Sequence, residues 1–308
     1  MLTNYLILFV IFILMAAILT HPAICVAGAA SGLLTWFNSV LPSLFPFMVL
    51  TGLLIRTGVL KQLTERLSRV PLLKRLPLTA FFAVLCGLLC GYPMGIRTVS
   101  DLKQTRQIST RQANILYAFV NQPGPMFVIG YAMPQCISRS RPALFLTAFY
   151  GGILCTALLA LIFSLFDKRT VNAQHEQKPE APVQTASAFI LFEDILMSSM
   201  TTLTKICGYM MFFSLLAALL GELIPQYPLM RLIFTGITEM TSGISTIIPD
   251  HPLTPYFVLG FISFGGLSIT AQSFTLGSLS SNEQIRYLLW KFIQTALALI
   301  LLMLLESV

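Results

Sequence analysis

The sequence predicts an all-α, polytopic integral membrane protein built of two inverted repeats, each with a re-entrant hairpin and a broken transmembrane helix. Three observations predict it. Of the 308 residues, 56% are hydrophobic and 10% are charged, whereas roughly a quarter of an ordinary soluble domain is charged, and no water-soluble fold hides so much apolar surface. The apolar residues gather into runs such as Tyr5 to Thr20, Pro142 to Phe166 and Tyr287 to Leu305, close to the ~20 residues that cross hydrocarbon. Interruptions rich in Gly and Pro then fall at corresponding places in the two halves.

Taken in order, a first span is expected at 5–20. Residues 1–4 carry no Lys or Arg, so it reads as a retained span rather than a secretory signal. The Gly/Ala-rich stretch 22–34 is too weakly apolar to span and is expected at the interface, closing an N-terminal unit at 1–35. The first repeat covers 36–166. It opens with a span at 36–56 containing Pro42 and Pro46, a kink that neighbouring helices can satisfy inside a membrane. An amphipathic surface helix follows at 57–76, where apolar residues alternate with Lys61, Glu65, Arg66 and Arg69. The apolar run 78–90 is too short to cross and ends at Gly91-Tyr92-Pro93-Met94-Gly95, after which the chain turns polar: a re-entrant hairpin. A span at 112–133 is interrupted by Asn121-Gln122-Pro123-Gly124-Pro125, and one at 142–166 is not. The polar stretch 167–187 is a linker.

The second repeat, 188–308, follows the same plan. A span at 189–220 precedes a short apolar run at 229–238 that ends at Glu239-Met240-Thr241-Ser242-Gly243. The span at 254–276 carries Ser263-Phe264-Gly265-Gly266-Leu267-Ser268 in its middle, and a last span closes at 285–305. Gly243 stands opposite Gly95, and Gly266 opposite Gly124.

A net charge of +7 is one mark of nucleic-acid-binding proteins, but in a membrane protein basic residues first of all set topology, and no nucleic-acid partner is expected. With the loop 56–76 inside, fifteen of the nineteen Lys and Arg fall on the cytoplasmic side, Arg286 and Lys291 among them; Arg139, Arg141 and Arg231 lie outside and Lys205 within a span. The N-terminus is then cytoplasmic, and the two hairpins enter from opposite faces, as inverted repeats require. The six cysteines lie in or beside apolar segments with no His at a ligand spacing, so no metal site and no cofactor is expected. No HExxH or GxSxG pattern suggests an enzyme.

Paired breaks in inverted halves point to a solute site near the midplane, lined by Gly91, Tyr92, Pro93, Met94, Gly95, Arg97, Asn121, Gln122, Gly124, Glu239, Thr241, Ser242, Gly243, Ser263, Gly265, Gly266 and Ser268. The partners implied are a small molecule, the lipid bilayer and a coupling ion, either proton or sodium. Intramembrane ionisable residues are costly and usually functional, which singles out Glu239 and Lys205. A membrane scaffold that moves no solute is the rival reading, and the sequence assigns no oligomeric state.

The runs LTWFNSVLPSLFPFMVLTGLL, GYPMGIRTVSDL, NQPGPMFVIG, TEMTSGI and GFISFGGLSI resemble the sporulation integral membrane protein family YlbJ, also called SpoVV, over nearly the whole chain after residue 20. More distantly, the order of hairpins and breaks is similar to the concentrative nucleoside transporters and nucleoside-recognition gate domains. The closer resemblance implies export of dipicolinic acid across the outer forespore membrane. A planar dianion wants cations and helix N-termini, for which Arg97, Lys205 and the hairpin turns are candidates, leaving Glu239 to a bound cation or to proton coupling. Nucleoside carriers hold the base with polar and acidic groups at the first hairpin tip, where this chain has Tyr92, Pro93 and Met94; nucleoside or other small-solute transport is the alternative.

Overall fold

The computed structural model describes residues 2–57, 59, 78–136, 141–166, 188–224, 227–247 and 251–307, and every regular element among them is helical. Among the described residues, five helical stretches are long and apolar enough to cross a membrane: Pro22–Leu54, Pro142–Leu165, Ala188–Leu223, Thr254–Leu276 and Ser281–Glu306. Side chains such as Phe9, Phe12, Leu158 and Phe163 stand outward, the arrangement expected where lipid rather than protein covers the surface. The chain is thus an all-α polytopic membrane protein. The surface helix expected at 57–76, apart from Thr57 and Val59, and the linker at 167–187 lie outside the described residues.

Helix α1 (Leu2–Thr20) coincides with the expected first span. The stretch after it does not behave as expected. Instead of an interfacial segment, α2 (Pro22–Thr35) runs through one wide π turn at Trp36–Val40 into α3 (Leu41–Arg56), so no boundary falls at 35. The π turn sits just before Pro42, where the missing N–H already interrupts the regular ladder. The small residues that lower the hydropathy of 22–34 serve close packing. A Cβ on Gly28 would lie 2.7 Å from Ala218 Cβ, and one on Gly32 2.7 Å from Ser214 Oγ, both on α8 (Ala188–Leu223). Glycines that let backbones approach are the usual currency of helix association in lipid.

The first hairpin is α4 (Leu78–Cys90), the turn Gly91-Tyr92-Pro93, and α5 (Met94–Gln104). At 1.5 Å per residue, α4 reaches about 20 Å, short of the ~30 Å of hydrocarbon. The broken span after it is α6 (Thr110–Tyr117), held at its start by a Ser109/Gln112 capping box, then an open stretch to Gly124, then helical turns at Pro125–Phe127, Val128–Ala132 and Met133–Gln135. α7 (Pro142–Phe166) is uninterrupted. After α8 come the second hairpin, α9 (Pro228–Thr238) and α10 (Met240–Ser245); the second broken span, α11 (Thr254–Phe264) and α12 (Gly266–Leu276); and the uninterrupted α13 (Ser281–Glu306). Span, hairpin, broken span and intact span therefore occur twice in the same order.

Both hairpins are closed by the same device. The arms of the first cross where Gly95 meets Gly87 Cα, and those of the second where Gly243 meets Gly236 Cα. Each hairpin also backs onto the broken span of its own half, the first onto the Val120 carbonyl and the second onto the Phe261 ring. Each break glycine abuts its own hairpin tip: Gly124 faces the Leu89 and Cys90 carbonyls, and Gly266 faces Ile237 O and Met240 N. Contacts then pass between the halves. Ser100 of α5 donates to Gly277 O, Lys103 pairs with Glu283 of α13, and Tyr131 donates to Thr241 O at 3.2 Å. The two intact helices pack on each other, with Gly152 of α7 against Ala298 of α13, around buried Phe145, Phe149 and Leu302.

Candidate functional site

A helix that stops inside the membrane leaves its last carbonyls without partners, and hydrocarbon supplies none. Here the carbonyl ends of both broken spans converge on one side chain. Lys291 of α13, 2% exposed, donates to Asn121 O just past α6 at 2.6 Å and to Ser263 O at the end of α11 at 3.1 Å. It also donates to Tyr92 Oη at 3.0 Å, and its ammonium stands 4.9 Å from the centre of the Tyr92 ring. Tyr92 in turn donates to Ile262 O at 3.0 Å, so the first hairpin tip is fastened to the second break. Among the described residues Lys291 has no carboxylate partner. Carbonyl dipoles at two helix C-termini and an aromatic face surround its nitrogen.

Around it lies a buried polar cluster. Gln122 and Gln294 exchange two amide hydrogen bonds, each 2.7 Å, and Asn121 Nδ2 donates to Ser273 Oγ at 2.8 Å and Tyr287 Oη at 2.9 Å. Gln272 Nε2 donates to Ser268 Oγ at 3.2 Å. Asn121 Oδ1, Ser263 Oγ and Gln272 Oε1 are buried without a hydrogen-bond partner.

Beside this cluster a cavity is lined by Tyr92 from the first hairpin and by Pro123 and Gly124 from the first break. Glu239 and Thr241 from the second hairpin and Ile269 and Gln272 of α12 also line it, together with apolar Val40, Leu44, Ile206 and Met210. Glu239 is the one charged side chain of this lining among the described residues. It is 1% exposed, and its carboxylate accepts from Thr241 Oγ1 and, at 2.7 Å, from the Ser242 N–H, capping α10.

Four of the residues singled out from the sequence, Tyr92, Gly124, Glu239 and Thr241, line the cavity directly. Asn121, Gln122, Ser263 and Ser268 form the polar cluster behind it. Gly91, Gly95, Gly243, Gly265 and Gly266 shape the turns and crossings, Pro93 precedes α5, and Ser242 donates to Ser214 Oγ at 3.2 Å. Met94 packs beside Met48 and Leu203. Arg97 is placed elsewhere: it donates to Thr202 of α8 and stands 4.0 Å from Asp101 on its own helix. Lys205 is exposed on α8, so neither expected cation touches the cavity. Lys291, assigned from sequence to the cytoplasmic charge count, is the buried cation instead. The signal that could have found it was present, since it falls within LLWKFIQTALALI, inside the expected last span.

The chain is 26% identical to the sporulation integral membrane protein YlbJ of Bacillus subtilis (strain 168), in an alignment that takes in 89% of this chain and 75% of that protein. No protein-family model matches this chain, and no solved structure does. The likeness to YlbJ covers the hairpins and both breaks together, as the resemblance read from GYPMGIRTVSDL and its companion segments requires. The likeness to nucleoside carriers has no counterpart in these comparisons.

Proposed function

We propose that the chain is a membrane transporter acting in spore formation, that its cargo is a small organic anion with dipicolinate the first candidate, and that its halves are inverted repeats. The observation that carries this reading is the meeting of both hairpin tips and the first break around one cavity, with the second break fastened to the first tip through Tyr92 and Lys291. Broken helices at a repeat interface are how many carriers build a solute site. Lys291, directly behind the Tyr92 wall, supplies the buried positive charge that a dianion needs in a low-dielectric surround. The YlbJ likeness supports the sporulation setting. A second reading, a neutral solute such as a nucleoside, is favoured by the acceptors on the cavity wall: Glu239, Thr241 and Gln272.

Flux into proteoliposomes separates these readings. Dipicolinate uptake at least tenfold above protein-free vesicles is expected; nucleoside uptake without it transfers the assignment to the second reading, and neither leaves a scaffold. Inversion is tested by cysteine labelling in cells. Positions in the loops 61–75 and 170–185 should label from inside and those near 138 and 225 from outside, and external labelling of residue 180 would remove the inverted arrangement. Glu239→Gln keeps an acceptor for the Ser242 N–H but cannot exchange a proton, so the pH dependence of initial flux is expected to flatten while the fold persists. An unchanged pH profile would reduce Glu239 to a cap for α10.

A further inference from the structure

In carriers with broken helices, unwound carbonyls and half-helix C-terminal ends are the groups that hold a coupling cation. The junction here has that form: Asn121 O and Ser263 O, the ends of the two breaks, with Tyr92 Oη and Gln294 Oε1 completing four oxygens within 3.4 Å of one point. The point is occupied by Lys291 Nζ. Asn121 also holds a spare buried acceptor, its Oδ1, with no partner, and the Ser263 hydroxyl is buried without one. A pocket of four oxygens at two negative helix ends is suited to a monovalent cation and poorly suited to being empty.

We propose that this cluster is a monovalent-cation site whose ion has been replaced by a tethered one, the Lys291 ammonium. The coupling consequence rests on the transporter reading: no free sodium ion binds at this junction, and solute movement is not driven by sodium through it. The site itself does not depend on that reading. Lys291→Ala removes the tether and leaves room for an ion, whereas the surrounding oxygens stay.

The test is thermal unfolding of the purified full chain in detergent, with sodium chloride, potassium chloride or choline chloride at equal concentration. The wild type should unfold at the same temperature in all three, within about 1 °C. Lys291→Ala should unfold earlier in choline, and sodium or potassium should restore roughly 3 °C or more, as an ion bound well above its Kd does. No recovery by either ion overturns the proposal, as does a wild type stabilised by sodium. Should Lys291→Ala resist purification, wild-type flux decides: replacing sodium by choline should leave the initial rate unchanged, and a fivefold fall overturns the tethered-ion assignment. A wild type that moves no solute at all would end the transporter reading while leaving the thermal comparison to decide the site.

Discussion

Replacing Lys291 with methionine is expected to abolish flux and to lower the unfolding temperature by about 5–10 °C, with no recovery in sodium. Methionine matches the length and most of the volume of lysine, so packing around α13 is kept and the ion has no room to enter. What changes is the ammonium. Two effects oppose each other. Removing a buried charge recovers several kcal/mol of desolvation, which is why some buried ions can be replaced by apolar residues at no cost. Against this stand three charge-assisted hydrogen bonds, each worth about 1.5–3 kcal/mol, and two carbonyls left without partners at about 1–3 kcal/mol each. Because Asn121 O and Ser263 O belong to backbone that cannot be substituted away, the loss outweighs the gain. A variant as stable as the wild type would show that both breaks find other partners, and full flux would remove Lys291 from the solute path.

The hairpin crossings give the second large effect, and it comes with its own control. Gly243→Val places a side chain against Gly236 Cα, and Gly95→Val places one against Gly87 Cα and the Val120 carbonyl. In both cases the obstacle is backbone, which cannot rotate away, so the arms must part and the tip that carries Glu239 or Tyr92 must move. Overpacking of this kind costs about 1–3 kcal/mol or more. Flux should be lost in both variants and the unfolding temperature should fall. At Gly208 of α8 and Gly260 of α11 nothing lies within 4 Å of an added Cβ. Alanine there should stabilise slightly, by roughly 0.5–1 kcal/mol, because glycine is a poor helix residue. Equal loss at all four positions would mean that glycine content, rather than the crossings, is what matters.

Those crossings mark how far the sequence was legible. Short apolar runs that end in Gly and Pro, and spans interrupted at 121–125 and 263–268, were readable because a membrane permits such breaks only where protein surrounds them. The pairing of Gly95 with Gly243 and of Gly124 with Gly266 emerged from alignment of the halves alone, and each pair has the same packing role. Other residues were misplaced for identifiable reasons. The stretch 22–34 looked interfacial because hydropathy averages over side chains and cannot distinguish a weakly apolar surface from one thinned for contact with α8. Lys291 was counted with the cytoplasmic charges because it follows Arg286 by little more than one helical turn, although it lies past the start of an apolar run. Lys205 drew attention as a charge within a span, yet nothing in a single sequence tells which side of α8 faces protein. Gln122 and Gln294 meet across 172 positions, a distance over which no local pattern speaks.

Lys291 also bears on how the protein is made. It lies ten residues after Ser281 and fifteen before Glu306, about 15 Å into the helix, so α13 carries an ammonium near the depth where insertion of a lysine costs about 2.5–3.5 kcal/mol. A lone α13 would be a reluctant guest in lipid. Tyr92, Asn121 and Ser263 all precede it in the chain, and synthesis runs from the N-terminus, so these three acceptors have left the ribosome before the lysine does, and of the four oxygens around it Gln294 Oε1 alone follows. The order of translation thus lets the earlier helices receive α13 as it enters the bilayer, and a truncation ending after residue 280 would leave their two severed helix ends open with nothing to close them.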